Sequence, residues 1–356
     1  MTSTADTRGG LVQTWLIPGI RGLYPGYFAL VMATGIVSNA FFALDFRTLS
    51  AALVFVNLVA YPVLLLMTLT RIVRFPAAIW RDLKDPRVVF GFFTLVAASD
   101  VFGLQLFFHG HRSVAVVLWL FALTLWIVLS YLSFLVLTFA GGEIAVDVVH
   151  GGWLIMIVGT ESLVLLGNML APGFGSLSQT AFLAVHAFWG IGIVLYGIFV
   201  TLFSFRIFFS RVEPKDMYPL FWVVMGAAAI AANAGSALIV SQPELAFLDA
   251  MKPFVEGTTL TLWAWATWLI PLFVGFGIWR HLVKKFPFTY TPMFWSLVFP
   301  LGMYSVATFR LSNAAEFPPI LNFSKVMLWI AFAAWIATMI GMLVHIWKGF
   351  AAARRW

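Results

Sequence analysis

Two carboxyl groups and one guanidinium stand inside stretches that are otherwise apolar. Asp100 lies in VAASDVFG, Glu161 in VGTESL, and Arg310 closes WSLVFPLGMYSVATFR. Ionisable groups inside membrane-length apolar stretches mark transport or proton pathways by default. A buried carboxyl must be neutral, paired or hydrogen-bonded, because a bare charge in a low-dielectric site is too costly. Asp100 and Glu161 are therefore either proton-coupling or vestibule groups, or partners of Arg310 or of hydroxyls and amides on neighbouring helices. Arg310 is either an anion-attracting mouth residue or a side chain reaching for the interface. A third feature is the step Phe299-Pro300. A proline inside a helix removes one N–H and strips the carbonyl four residues earlier, here that of Ser296, of its partner. In lipid that carbonyl needs protein or water, so the break is a packing kink or lines a cavity.

Other chemistries lack their parts. There is no cysteine, which removes disulfides, thiolate metal sites and thiol redox. His186 has no second histidine three or four residues away, and His109 and His111 flank a short loop, so no metal site is expected. No G-x-x-x-x-G-K-[ST], G-x-S-x-G or H-E-x-x-H occurs, and neither GFG at 173–175 nor GIG at 190–192 completes a dinucleotide fingerprint. Neither an enzyme nor a cofactor is expected.

The elements that hold these residues follow from composition. The chain is 62% hydrophobic and only 10% charged, against about 25% charged residues in ordinary soluble domains. Most of its surface must face lipid. A spanning helix needs roughly 20 mainly apolar residues, and such runs occur at 24–44, 50–73, 88–108, 114–138, 150–170, 179–209, 218–240, 255–280, 292–312 and 326–347. The expected class is an all-α integral membrane protein of ten helices paired as five hairpins. A ten-helix domain at 23–348 is flanked by tails at 1–22 and 349–356, with no cleaved leader expected. Sixteen of the 21 lysines and arginines fall on the side of the N-terminus, and Arg47, Arg112, Lys252, Arg310 and Lys325 on the other. The charge bias predicts a plasma or inner membrane location with both termini cytoplasmic. It also accounts for the net charge of +7 without a nucleic-acid partner.

The hairpins start near 24, 88, 150, 218 and 292, an interval that suggests an internal repeat. Each odd helix opens with an aromatic residue: Phe28, Phe92, Trp153, Trp222 and Trp295. In that register Asp100 and Glu161 fall at matching depth. The odd helices are also rich in small and polar residues, among them Gly35, Ser38, Asn39, Asn233, Gly302 and Thr308. Small residues permit close helix packing; they also leave an open lumen if the five odd helices form an inner ring. Gly35, Ser38, Asn233 and Gly302, with Asp100, Glu161 and Arg310, are the candidate pore-lining or coupling residues.

The strings PGYFALVMATGIVS (25–38), FGFFTLVAASDVFG (90–103), WRHLVKKFP (279–287) and VFPLGMYSVAT (298–308) resemble the tellurite-resistance/dicarboxylate transporter family. Bacterial tellurite-resistance permeases, plant slow anion channels, and fungal malate and sulfite permeases belong to it. The resemblance runs from about residue 20 to 348. It implies five hairpins with odd helices around a central pore, a homotrimer with one pore per protomer, and a phenylalanine plug beside a proline on helix nine. The matching residues are Phe299 and Pro300. The expected function is passage of small inorganic or carboxylate anions across the bilayer by a channel or uniporter. The alternative is a proton-coupled C4-dicarboxylate or sulfite carrier. Two departures stand out: the plant channels have long cytosolic tails that receive phosphorylation, so that control is not expected of the short tails here, and ionised Asp100 and Glu161 would repel an anion.

Overall fold

A computed structural model describes residues 12–139 and 148–353. The tail expectations on residues 1–11 and 354–356, with Arg8, Arg354 and Arg355, lie outside the described residues. Ten helices among the described residues are long and apolar enough to cross a membrane: α1 Pro25–Ala43, α2 Arg47–Arg74, α3 Val89–Phe108, α4 Arg112–Phe139, α5 Gly151–Gly173, α6 Gly175–Phe209, α7 Pro219–Ile239, α8 Lys252–Val283, α9 Pro292–Ala314 and α10 Pro318–Ala353. No strand occurs among them. Each predicted span matches one helix, and α10 extends further at both ends than its apolar run. An even number of crossings returns the chain to the side on which it started.

Odd and even helices have opposite environments. Between 72% and 94% of the residues in the apolar windows of the odd helices are buried, but only 22% to 33% in the even ones. The cause is composition. A stretch such as GAAAIAANAGSA in α7 lets backbones approach closely, whereas Leu, Val and Phe on the even helices are compatible with lipid. Helix α1 packs on α3, α3 on α5, α5 on α7, α7 on α9, and α9 on α1. These contacts form a closed cycle. Each even helix packs against its hairpin partner and against the odd helix of the next hairpin.

A repeated hydrogen bond fixes that second contact. In each case an aromatic side chain of an even helix bonds a polar group of the following odd helix. Tyr61 OH lies 2.8 Å from Ser99 Oγ. Trp126 Nε1 donates to Thr160 Oγ1 at 2.7 Å, Trp189 Nε1 to the Ala231 carbonyl at 3.0 Å and Trp263 Nε1 to Thr308 Oγ1 at 3.0 Å. Trp335 Nε1 of α10 donates to Thr34 Oγ1 of α1 at 2.9 Å and closes the circuit. Water does not compete for such groups in the hydrocarbon layer, so each bond helps set the position of the outer helix.

Every odd helix begins with a 3₁₀ turn, at Pro25–Phe28, Val89–Phe92, Gly151–Leu154, Pro219–Phe221 and Pro292–Phe294. Proline suits the first turn because its missing N–H has no helical partner there. The α-helical segments then start at Ala29, Phe93, Ile155, Trp222 and Trp295. The aromatic register read from sequence therefore slips by one or two residues between hairpins. Asp100 stands seven residues after its helix start and Glu161 six, so the two share a depth only to within one residue.

Candidate functional site

A cavity of about 220 Å³ opens in the halves of the odd helices that lie away from the termini. All its walls come from α1, α3, α5, α7 and α9: Ile36, Asn39, Phe42 and Ala43; Val101, Leu104 and Phe108; Leu165; Asn233; Met303, Val306, Phe309 and Arg310. No even helix contributes. The positions on α9 follow from helical spacing. Residues 303, 306 and 310 repeat at three and four and so share a stripe. Phe299 continues that stripe one turn deeper, and its ring is buried. From Phe299 to Arg310 the helix rises about 16 Å.

Arg310 is half-buried in this wall. Its Nη1 is buried and has no hydrogen-bond partner, and no carboxylate among the described residues lies within ion-pair distance of it. A guanidinium has five N–H donors and no acceptor, so one that is left unpaired in a cavity wall is a ready donor to an anion's oxygen or to a halide. Asn233 Nδ2 donates to Met303 Sδ at 3.3 Å, and its Oδ1 is buried without a partner. At the mouth, Phe42 and Phe108 stack with ring centroids 5.0 Å apart. The Arg47 guanidinium lies 3.8 Å over the Phe42 ring and pairs with Asp45 at 2.8 Å, so its charge there is offset by a carboxylate.

The other sequence candidates occupy helix interfaces. Ser38 Oγ donates to the Ser50 carbonyl on α2 at 2.9 Å. A Cβ at Gly35 would come within 2.5 Å of Val101 Cγ1 on α3, and one at Gly302 within 2.9 Å of Ile36 Cγ2 on α1. Pro300 faces Gly226 of α7. Ser162 Oγ of α5 lies 2.8 Å from Asp100 Oδ2 and 2.8 Å from the Gly159 carbonyl, so one hydroxyl proton faces two acceptors. Glu161 is fully buried and neither carboxyl oxygen has a partner. Its Oε1 occupies the space beside Gly192 of α6, 2.1 Å from where a Cβ would stand. Arg310 is not its partner. Of the seven pore-lining or coupling candidates, the structure brings Asn233 and Arg310 to the cavity. Asn39 joins them; the rings of Phe42, Phe108 and Phe309 carried no sequence signal, because aromatics are common throughout this chain.

At the opposite end of α5, His150 caps the helix. Its Nδ1 accepts from the Gly152 N–H at 3.0 Å, and its Nε2–H donates to the Arg87 carbonyl at 2.9 Å. Burial lowers its pKa to about 4, with the charges of Arg206 and Arg87 adding to the effect against the Arg87 carbonyl bond and Asp85. Arg206 donates to the Val149 carbonyl and pairs with Asp216 at 3.5 Å. This cluster ties the starts of α3 and α5 to the end of α6.

Comparison with known proteins gives three findings. The model of a family described as voltage-dependent anion channel matches residues 22–343. An uncharacterized membrane protein of Mycobacterium tuberculosis (strain H37Rv) is 38% identical over 152 residues, which covers 43% of this chain and 77% of that protein. Two uncharacterized transporters of Methanocaldococcus jannaschii are 23% and 24% identical, each over 93% of this chain and over 96% and 95% of their own lengths.

Proposed function

The chain belongs to the voltage-dependent anion channel family, the grouping to which its tellurite-resistance/dicarboxylate resemblance also pointed. From that premise we propose that it passes small anions through a pore along the axis of the five odd helices, with Phe299 as the barrier. The observation that carries this reading is the cavity walled by all five odd helices and by nothing else. Arg310, which has no carboxylate partner among the described residues, draws an anion into the cavity. Asn39 and Asn233 supply two amides, while the remaining walls are apolar and bind weakly. Conduction needs that weakness, since an ion held tightly does not leave. Phe299 lies one turn below Met303 on the same stripe, beyond the cavity lining, which is the position this reading gives the barrier, and Pro300 beside Gly226 sets the local path of α9. A homotrimer in a plasma or inner membrane, with cytoplasmic termini, is the expected assembly.

The test is anion current in bilayers containing the purified chain and Phe299→Ala, with chloride, nitrate and malate on either side. Removal of the ring is expected to raise current at least tenfold. Equal currents for the two proteins would remove Phe299 as the barrier.

A second reading, proton-coupled carriage of a C4-dicarboxylate or sulfite, is favoured by one observation, the unpartnered carboxyl of Glu161. Such a carrier would accumulate substrate in liposomes under an imposed proton gradient, and Glu161→Gln would abolish the accumulation while leaving downhill flux. A channel accumulates nothing.

A further inference from the structure

A second concavity, of about 210 Å³, lies outside the ring on the face that bears the termini, between α7, α8 and α9. We propose that this groove binds the headgroup and one acyl chain of an anionic phospholipid. Its lining is graded. Arg280 and His281 stand at one end, and Phe273, Phe276, Trp222 and Leu297 line the other. Seven residues separate Phe273 from Arg280 along α8, about 10 Å of rise, which matches the step from acyl region to headgroup level in one leaflet.

The polar end is built for an anion. Arg280 Nη1 donates to the Met217 carbonyl and the guanidinium lies 4.5 Å over the Phe286 ring, so its position is fixed. Its Nε is buried and has no partner. His281 Nδ1 lies 2.9 Å from the Phe286 carbonyl, leaving Nε2 without a bond to the protein. No carboxylate lines the groove. Lys284 and Lys285 follow on the next turn, and neither is within ion-pair distance of an acid among the described residues. A phosphate diester with a neutral or anionic headgroup complements these cations, whereas a choline group would meet them with like charge. The apolar end suits a chain rather than a free ion. A Cβ at Gly277 would meet nothing within 4 Å, so the groove is open where a chain would lie.

The test uses the full chain, delipidated in detergent, with equimolar phosphatidylglycerol and phosphatidylcholine of the same acyl chains, read by native mass spectrometry. The first lipid retained is expected to be phosphatidylglycerol by about fivefold over phosphatidylcholine. Arg280→Gln should bring the two lipids level. Gly277→Leu keeps the charge and fills the groove, so it should lower retention of phosphatidylglycerol on a chain that still elutes as folded protein. Equal retention of both lipids by the parent overturns the proposal, as does unchanged retention in Gly277→Leu. Displacement of phosphatidylglycerol by millimolar inorganic phosphate would assign the site to phosphate alone and overturn the lipid. None of these outcomes depends on whether the chain conducts.

Discussion

Pro300 of α9 rests directly on Gly226 of α7: a Cβ at position 226 would stand 2.7 Å from Pro300 Cγ, 3.0 Å from its Cβ and 3.2 Å from its Cα. The proline that breaks the backbone pattern of α9 is thus seated where the neighbouring helix has no side chain. Two sequence-distant features are one packing unit.

Gly226→Ala is predicted to push α9 away from α7. Overpacking of this kind costs about 1–3 kcal/mol, seen as a lower melting temperature in detergent, and the anion current should change with it. An alanine variant with the parent's melting temperature and current would show that the ring does not rest on position 226.

Arg310→Gln is predicted to reduce anion current several-fold at low ionic strength, with a smaller loss at high salt because screening already weakens the attraction. Arg310→Lys should restore most of it. If glutamine and lysine behave alike, the charge at this wall has no part in permeation.

Trp126→Phe removes the indole donor to Thr160 and is predicted to cost about 1 kcal/mol, measured as thermal stability in detergent. The double variant with Thr160→Val should lose less than the sum of the two single losses. Strict additivity would mean the bond contributes nothing.

Stability should fall in mild acid through His150. Its folded pKa, about 4, lies below the unfolded value near 6.5. Its contribution is therefore fully present above pH 6.5 and is lost as pH falls toward 4. The expected loss is about 3 kcal/mol at most. The protonated ring would also place a hydrogen on Nδ1, facing the Gly152 N–H that it now accepts. A melting-temperature profile between pH 7 and 4 checks this, and in His150→Gln the slope should flatten. The same slope in parent and variant would assign the acid sensitivity elsewhere.

Much of this fold is legible in the sequence, because hydropathy and small-residue content act one helix at a time. The spans, and the inward placement of stretches such as the alanine-rich run of α7, follow from local composition. Side-chain direction does not. Ser38 and Arg310 are both polar residues on odd helices, yet one bonds α2 and the other faces the cavity. A shift of one residue turns a side chain by about 100°, and the 3₁₀ turns alter the register by one or two. The Glu161–Gly192 contact needed knowledge of which face of α6 meets α5. The tryptophan ties did leave a trace, since a lone Trp sits near the middle of α6, Trp335 near the middle of α10, and threonines recur on α1, α5 and α9. Without a register the trace could not be paired.

The hydrogen bond from Trp335 to Thr34 joins residues 301 positions apart, while its four counterparts join consecutive hairpins. The five ties differ in donor, acceptor and depth, but each joins an even helix to the odd helix that follows it around the cycle, so the contact between the last hairpin and the first is of the same kind as the others. The order of the hairpins in the gene is then a convention of where the circle was cut. A circularly permuted chain, with the present ends joined by a linker and new ends opened between α2 and α3, retains every contact of the ring. During synthesis, however, the cut matters: α1 waits in the bilayer with one flank unmatched until the final hairpin is inserted.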